Sequence, residues 1–134
     1  MTNHHAHLGD ASFLRLEIDR TAARSAALQA LATRCDDIEV QRACTQLGRE
    51  SVRQVRRLQL LLFRKSGYWH RVPEMCPYVP TCHGTLWLMC LEAQAGAVRL
   101  GAYTEAAHCP RVQRLCRTLT AERAKAARTL EALL

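Results

Sequence analysis

At 134 residues the chain has the length of one domain, long enough to close a hydrophobic core without disulfide staples. Its formal charge of +7, from 19 Lys+Arg against 12 Asp+Glu, suits an acidic or polyanionic partner without specifying one. No apolar run reaches about 18 residues, and "MTNHHAHLGD" lacks the basic-then-apolar layout of a signal peptide, so a membrane span and export are not expected and the cytoplasm is.

Four segments carry a helical period and none shows sustained strand alternation, so the class is all-α. Residues 1–10 read as a disordered tail, and residues 11–134 as one domain. The first helix is expected from about Ala11 or Ser12, a usable N-cap, with Phe13, Leu16, Ala23, Ala27 and Leu31 on its apolar face, stopping near Cys35. Asp36 or Asp37 caps the second helix. Its stripe of Val40, Ala43, Cys44, Leu47, Leu58, Leu61 and Leu62 runs to about Lys65, with Gly67 as the stop. From Gly67 to Gly84, Pro73, Pro77 and Pro80 forbid a regular element, leaving one long loop. The third helix begins at about Thr85 and is apolar on more than one face. Pro110 suits the first turn of the fourth, which runs to Leu134 and turns Val112, Leu115, Leu119, Ala126, Leu130 and Leu133 inward.

The chain also repeats itself. "VQRACTQLGRE" from Val40 to Glu50 returns 72 residues later as "VQRLCRTLTAE" from Val112 to Glu122. The same offset matches Leu14 with Leu86, Leu16 with Leu88, Ala23 with Ala95, Leu28 with Leu100 and Arg56 with Arg128. The repeating unit is therefore a helical hairpin, 11–66 and again 85–134. Each hairpin has an apolar stripe it cannot bury alone, and pairing them gives an antiparallel four-helix bundle with the Pro-rich segment as its crossover.

At equivalent positions the repeat places Glu50 with Glu122, Arg53 with Lys125, and Arg20 with Glu92. In this layout the chain resembles the ferritin-like, rubrerythrin-type superfamily, in which two hairpins hold two iron or manganese ions through a Glu on one helix and Glu-x-x-His on the other. The corresponding strings here are "ESVR", Glu50 to Arg53, and "ERAK", Glu122 to Lys125. Glu92 lies on the third helix, and Arg20 stands where the fourth acid belongs. Both histidines and one carboxylate are replaced by cations, which cannot be ligands, so the resemblance implies the fold without the di-metal chemistry. Two readings of these six positions stay open: a partly buried ionic network, or ordinary i,i+3 surface pairs.

Seven cysteines favour thiols or metal ligands over a disulfide framework in a reducing compartment, although free Cys is also a small buried hydrophobe. The stretch "YWHRVPEMCPYVPTCHGTLWLMC" gathers soft ligands. Cys76, Cys82 and His83, with Cys90 one to two turns into the third helix, form a candidate Zn(II) or Cu(I) site. A weaker likeness favours copper: the chain is similar to cysteine-rich four-helix-bundle copper-storage proteins in its His108-Cys109 pair, in Cys116 seven residues on, and in Cys44. Leu47, Ser51, Val55, Val112, Leu119 and Arg123 stand where that family's thiols recur, so the resemblance implies at most a single site using Cys109, Cys116 or the loop cysteines. His4, His5 and His7 could add a weak metal-binding tail.

Arg49, Arg53, Arg56 and Arg64 fall on one broad face of the second helix, and Arg111, Arg114 and Arg117 open the fourth. Such spacing can track phosphates or meet an acidic partner, yet no aromatic interleaving marks a nucleobase platform. There is no Gly-rich phosphate loop and no Gly-x-Ser-x-Gly elbow. The expected function is a non-enzymatic binding or interaction protein on a metal-less bundle, with a protein partner or self-association through exposed Leu-rich helix ends. The alternative is a soft-metal-binding protein, and nucleic-acid binding ranks third.

Overall fold

The structure, a computed structural model, describes residues 4–134, with the side chains of residues 9–134. Four helices follow in order: α1 His4–Arg34, α2 Ile38–Ser66, α3 Cys82–Ala106 and α4 Pro110–Glu131. No strand occurs among the described residues. Packing is dense between α1 and α2 and between α3 and α4, and thinner where the two hairpins meet, along α1 with α3 and α2 with α4.

Each end of these helices has a local cause. The Asp37 carboxylate accepts from the N–H groups of Glu39 and Val40 at the start of α2, while Gly67, at φ 72°, closes it by donating to the Phe63 carbonyl. The Thr81 hydroxyl accepts from Gly84 N–H to open α3, and Pro110 occupies the first turn of α4. The repeated Gln has the same task in both hairpins: Gln41 Nε2 donates to the Cys35 carbonyl, and Gln113 Nε2 donates to the Ala107 carbonyl. That hydrogen bond ties each interhelical turn to the helix following it.

The pairings across the bundle fix its topology. Glu17 meets Arg99 and Arg24 approaches Glu92, so α1 and α3 run antiparallel, as do α2 and α4, where Arg57 and Arg64 line one groove with Thr118 and Arg111. It follows that α2 and α3 run parallel, and residues 67–81 must return the full length of the bundle. Those residues reach up to about 50 Å when extended, enough for a helix of this length, about 43 Å. The return runs over hairpin one: Gln59 Nε2 donates to the His70 carbonyl, the His70 ring lies 2.9 Å from the Asp19 carboxylate, and Val72 and Met75 pack on the core. At its far end a disulfide joins Cys82 to Cys35, with the two Cα atoms 5.7 Å apart.

Three expectations need correction. Helix α1 already includes residues 4–10, so the expected tail is helical there, while residues 1–3 lie outside the described residues. Its buried face is Asp10, Leu14, Glu17, Thr21, Arg24, Leu28 and Leu31, followed by the buried Cys35 just past its end, whereas Leu16 and Ala23 are exposed. An Ala-rich helix with apolar residues all round leaves the choice of face to tertiary packing. Finally, α3 starts at Cys82, which moves Cys82 and His83 from the loop into a first helical turn.

The α1 stripe has a spacing of three and four, and its middle is polar. That pattern divides the interior. One apolar cluster, around Leu14, Ile18, Leu58, Leu62, Leu100 and Leu119, fills one end of the bundle. Another, around Leu28, Leu31, Leu47, Leu86, Ala93 and Leu130, fills the other. A polar layer lies between them.

Candidate functional site

That layer is built from all four helices. Arg123 of α4 is fully buried; its Nη2 donates to the Thr21 hydroxyl at 2.7 Å and its Nε to the Gln54 side-chain oxygen at 3.3 Å. Its Nη1 lies 3.6 Å from Glu92 and 3.9 Å from the equally buried Glu17. Glu17 is held by a two-pronged contact in which Arg99 Nε and Nη2 donate to its two oxygens at 3.0 and 2.7 Å. Arg24 completes the set, with Nε 3.4 Å from Glu92. Gln54 passes the network outward: its amide donates to Glu122, which also accepts from Arg57 on the surface.

The room for Arg123 comes from Gly96, where a Cβ would stand 2.8 Å from the guanidinium. At the repeat offset Gly96 corresponds to Arg24, and Ser51 corresponds to Arg123. Each buried arginine is thus opposed in the other hairpin by a small residue at the equivalent position. Burial pushes Arg24 down to about 10, with the Arg123 charge adding to the effect, and burial lowers Arg123 as well. The Glu17 hydrogen bond moves Arg99 the other way. Among the described residues, Arg24 Nε and Nη1, Arg123 Nη1 and Glu92 Oε2 are buried without a hydrogen-bond partner. This layer sets three arginines against two glutamates, with Glu122 at its rim, and arginine is neither a metal ligand nor a base.

Of the six expected positions, the structure brings only Glu92 into this layer and Glu122 to its rim. Arg20, which stands where the fourth acid belongs, is 45% exposed and touches the network only from outside, 3.5 Å from Glu17. Glu50, Arg53, Glu122 and Lys125 do come together, not in the core but around a cleft of about 350 Å³ between α2 and α4, with Gln54 and Arg57. So a buried ionic network exists, with mostly different members. The sequence spacing assigns no role to Glu17, Arg24 or Arg99, and it gives Arg123 only as the place of a missing thiol. The legible signal was charge at three-four spacing inside an apolar stripe, Leu14-Glu17-Thr21-Arg24-Leu28 in α1 and Leu119-Arg123-Ala126 in α4.

The cysteine candidates separate. Cys82 is consumed by the disulfide with Cys35, which corrects the expectation of a thiol or ligand there. Cys76 is exposed on the crossover, His83 is exposed on α3, and Cys90 is buried with its thiol 3.6 Å from the Ala127 carbonyl. Among the described residues no three His, Cys, Asp or Glu side chains converge as a metal site. Cys44 and Cys116 lie in opposite apolar clusters, and burial pushes their thiols up to about 11 and about 12. Cys109, the N-cap of α4, behaves differently: burial raises it, but the Val112 and Arg111 N–H groups and the Lys65 charge bring it below the ordinary thiol value. His108 is exposed beside it. The side chains of His4, His5 and His7 lie outside the described residues.

The outer α2/α4 face carries most of the remaining candidates. Arg57, Arg64, Arg111 and Arg114 surround a groove of about 550 Å³ whose floor is Leu60, Leu61 and Leu115, with no acidic residue in its lining. Arg53 and Arg117 are exposed as well, Arg53 in the adjoining cleft that shares Arg57, whereas Arg49 and Arg56 are exposed on the α1 side of α2, where each lines a recess with Gln29. No helix among the described residues is long and apolar enough to cross a membrane. No protein-family model, curated protein or solved structure matches the chain.

Proposed function

We propose that the protein is a non-enzymatic binding module whose working surface is the α2/α4 face, and that its partner is an acidic amphipathic segment of another protein. The observation that carries this reading is the groove of Arg57, Arg64, Arg111 and Arg114 over a leucine floor. Arginine heads reward carboxylates at the rim, and the exposed Leu60 rewards apolar side chains at the centre, the combination typical of helix-in-groove recognition. A bare polyphosphate backbone would use the charges and leave the floor wet, which ranks nucleic acid below a peptide.

The resemblance to ferritin-like bundles enters here as layout. Where that layout would hold two metals, the middle layer of this bundle holds Arg24, Arg99 and Arg123 against Glu17 and Glu92, which supports binding and interaction over oxidase chemistry. Soft-metal binding through Cys76, Cys82, His83 and Cys90 has less support, since one thiol is paired and another is buried away from the loop. We keep the cytoplasm as the compartment, with the condition that Cys35 and Cys82 would be reduced there.

The test is a titration with three probes: a labelled helical peptide alternating Leu and Glu faces, the same peptide with Gln for Glu, and a single-stranded oligonucleotide. The acidic peptide should bind in the micromolar range and weaken at least ten-fold in Arg64→Glu/Arg111→Glu. Equal binding of all three probes, or no loss in the charge-reversed variant, would sink the reading.

A further inference from the structure

The two hairpins share a register but not a covering. On hairpin one the crossover lies over the outer flank of α1: the Arg15 guanidinium sits 5.8 Å from the Tyr68 ring centre, Asp19 holds His70, and Ala22 and Ala26 line a recess with Val72, Pro73 and Met75. The repeat offset of 72 carries Arg15, Asp19 and Ala26 onto Trp87, Leu91 and Val98 of α3. No crossover reaches that flank, and these three side chains are 53%, 45% and 74% exposed. Polar anchors for a covering segment on one hairpin are thus replaced by apolar residues at the same register on the other. Leu88 and Ala95, also exposed, widen the patch.

We propose that this flank of α3 is a self-association surface, on which a second copy of the chain lays its own α3 antiparallel about a twofold axis. Three features select a second copy. First, charge: a chain of net charge +7 repels itself wherever arginines face outward, as they do on α2 and α4, but Glu92 is the only charged side chain of α3 before Arg99, both turn toward the interior network, and Arg20, the exposed arginine between Leu16 and Ala23 on the adjoining edge of α1, is paired with Glu17. Second, symmetry: Trp87, Leu91 and Val98 recur at i, i+4 and i+11 along the axis. Turning one copy end over end about the middle of the patch sets Trp87 of each beside Ala102 of the other and Leu91 beside Val98, large against small, with Ala95 near the axis. Third, area: the patch from Trp87 to Ala102 is about 23 Å long and, counting Leu16 and Ala23 of α1, about two helices wide. That corresponds to roughly 500 Å² per copy, and a pair buries about 1,000 Å², the lower bound of a specific interface.

A contact of that size predicts a reversible dimer with a dissociation constant in the micromolar range. Sedimentation equilibrium of the full chain, supported by light scattering across about 1 to 300 μM, should show the mass rising from 15.1 kDa toward twice that value. Leu91→Glu and Val98→Glu should each hold the protein at the monomer mass with unchanged helical circular dichroism, as expected at exposed sites. Leu60→Glu, in the arginine groove, should leave the dimer intact. A monomer across the whole range overturns the proposal, as does a dimer that survives both α3 variants or dissociates in Leu60→Glu. Association of the wild type with phosphatidylcholine vesicles, lost in Leu91→Glu and accompanied by a monomer in buffer, would assign the patch to lipid and likewise overturn it.

Discussion

Hairpin one and hairpin two share a register and an apolar plan, yet the first is wrapped by the crossover and cross-linked at its turn, while the second is bare on the corresponding flank. The contrast shows which parts of a duplicated plan are free to diverge. Leucines of the two end clusters repeat, Leu28 with Leu100 and Leu58 with Leu130, because each end needs the same volume filled. The middle does not repeat: Arg24 stands where hairpin two has Gly96, the residue that makes room for Arg123, Arg123 stands where hairpin one has Ser51, and Glu17 stands where hairpin two has Met89. Two arginines at one level of the core would collide if they were symmetric. Placing each opposite a small residue lets both enter.

The largest effect that would test this contrast lies in the middle layer. Arg123→Ala leaves Glu17 and Glu92 facing an unfilled cavity and should cost about 3–5 kcal/mol by urea denaturation, while Ser51→Ala, at the equivalent place in hairpin one, should cost less than about 1 kcal/mol because its hydroxyl donates only to the Leu47 carbonyl of its own helix. Similar losses in the two variants would mean the layer is not asymmetric in energy. Next comes the cross-link. Cys35→Ser should lower stability by about 2–4 kcal/mol, the range expected for a closed loop of this span, and hydrogen exchange should rise first along the crossover. Protection lost equally in both hairpins would remove the distinction between wrapped and bare.

A smaller effect follows at Asp19. Asp19→Ala releases His70 from a half-exposed contact and should cost no more than about 1 kcal/mol, seen as a lowered melting temperature without loss of helicity. The least disruptive measurement reads thiols. Cys109 lies below the ordinary thiol value, so its thiolate fraction at pH 7.5 exceeds that of a free cysteine, whereas Cys44 and Cys116, at about 11 and about 12, are almost wholly protonated and buried. Alkylation followed by mass spectrometry should therefore modify Cys109 and the exposed Cys76 first. Raising the pH toward 9 should quicken Cys109, and Cys44 and Cys116 should react only on unfolding.

Much of the fold was legible. Asp37, Gly67 and Pro110 mark helix ends by well-understood chemistry, the repeat gives the pairing of hairpins, and the stripes of α2 and α4 are amphipathic enough to name their buried faces. The face of α1 was not legible, since Leu16 and Ala23 compete with Leu14 and Ile18 and only the neighbouring helices decide. The same ambiguity hid the candidate site. Glu17, Arg24 and Arg123 occupy interior positions by spacing, but a charged residue alone is read as a surface residue until partners on other helices supply its counter-charges. The disulfide was beyond reach for a different reason: Cys35 and Cys82 meet only because the crossover doubles back along hairpin one.

The polar layer also acts as a vernier. Helices with a seven-residue apolar repeat can slide past one another by about 10 Å and still find leucines to touch, so apolar ends alone leave the hairpins several nearly equivalent dockings. Any such displacement here would drive the Arg123 guanidinium to the level of Leu28 or Leu14 and strip Glu17 of Arg99. Each misplaced charge costs several kcal/mol. Charges that add little to the depth of the native basin thereby raise its competitors, and one alignment of the two hairpins is left.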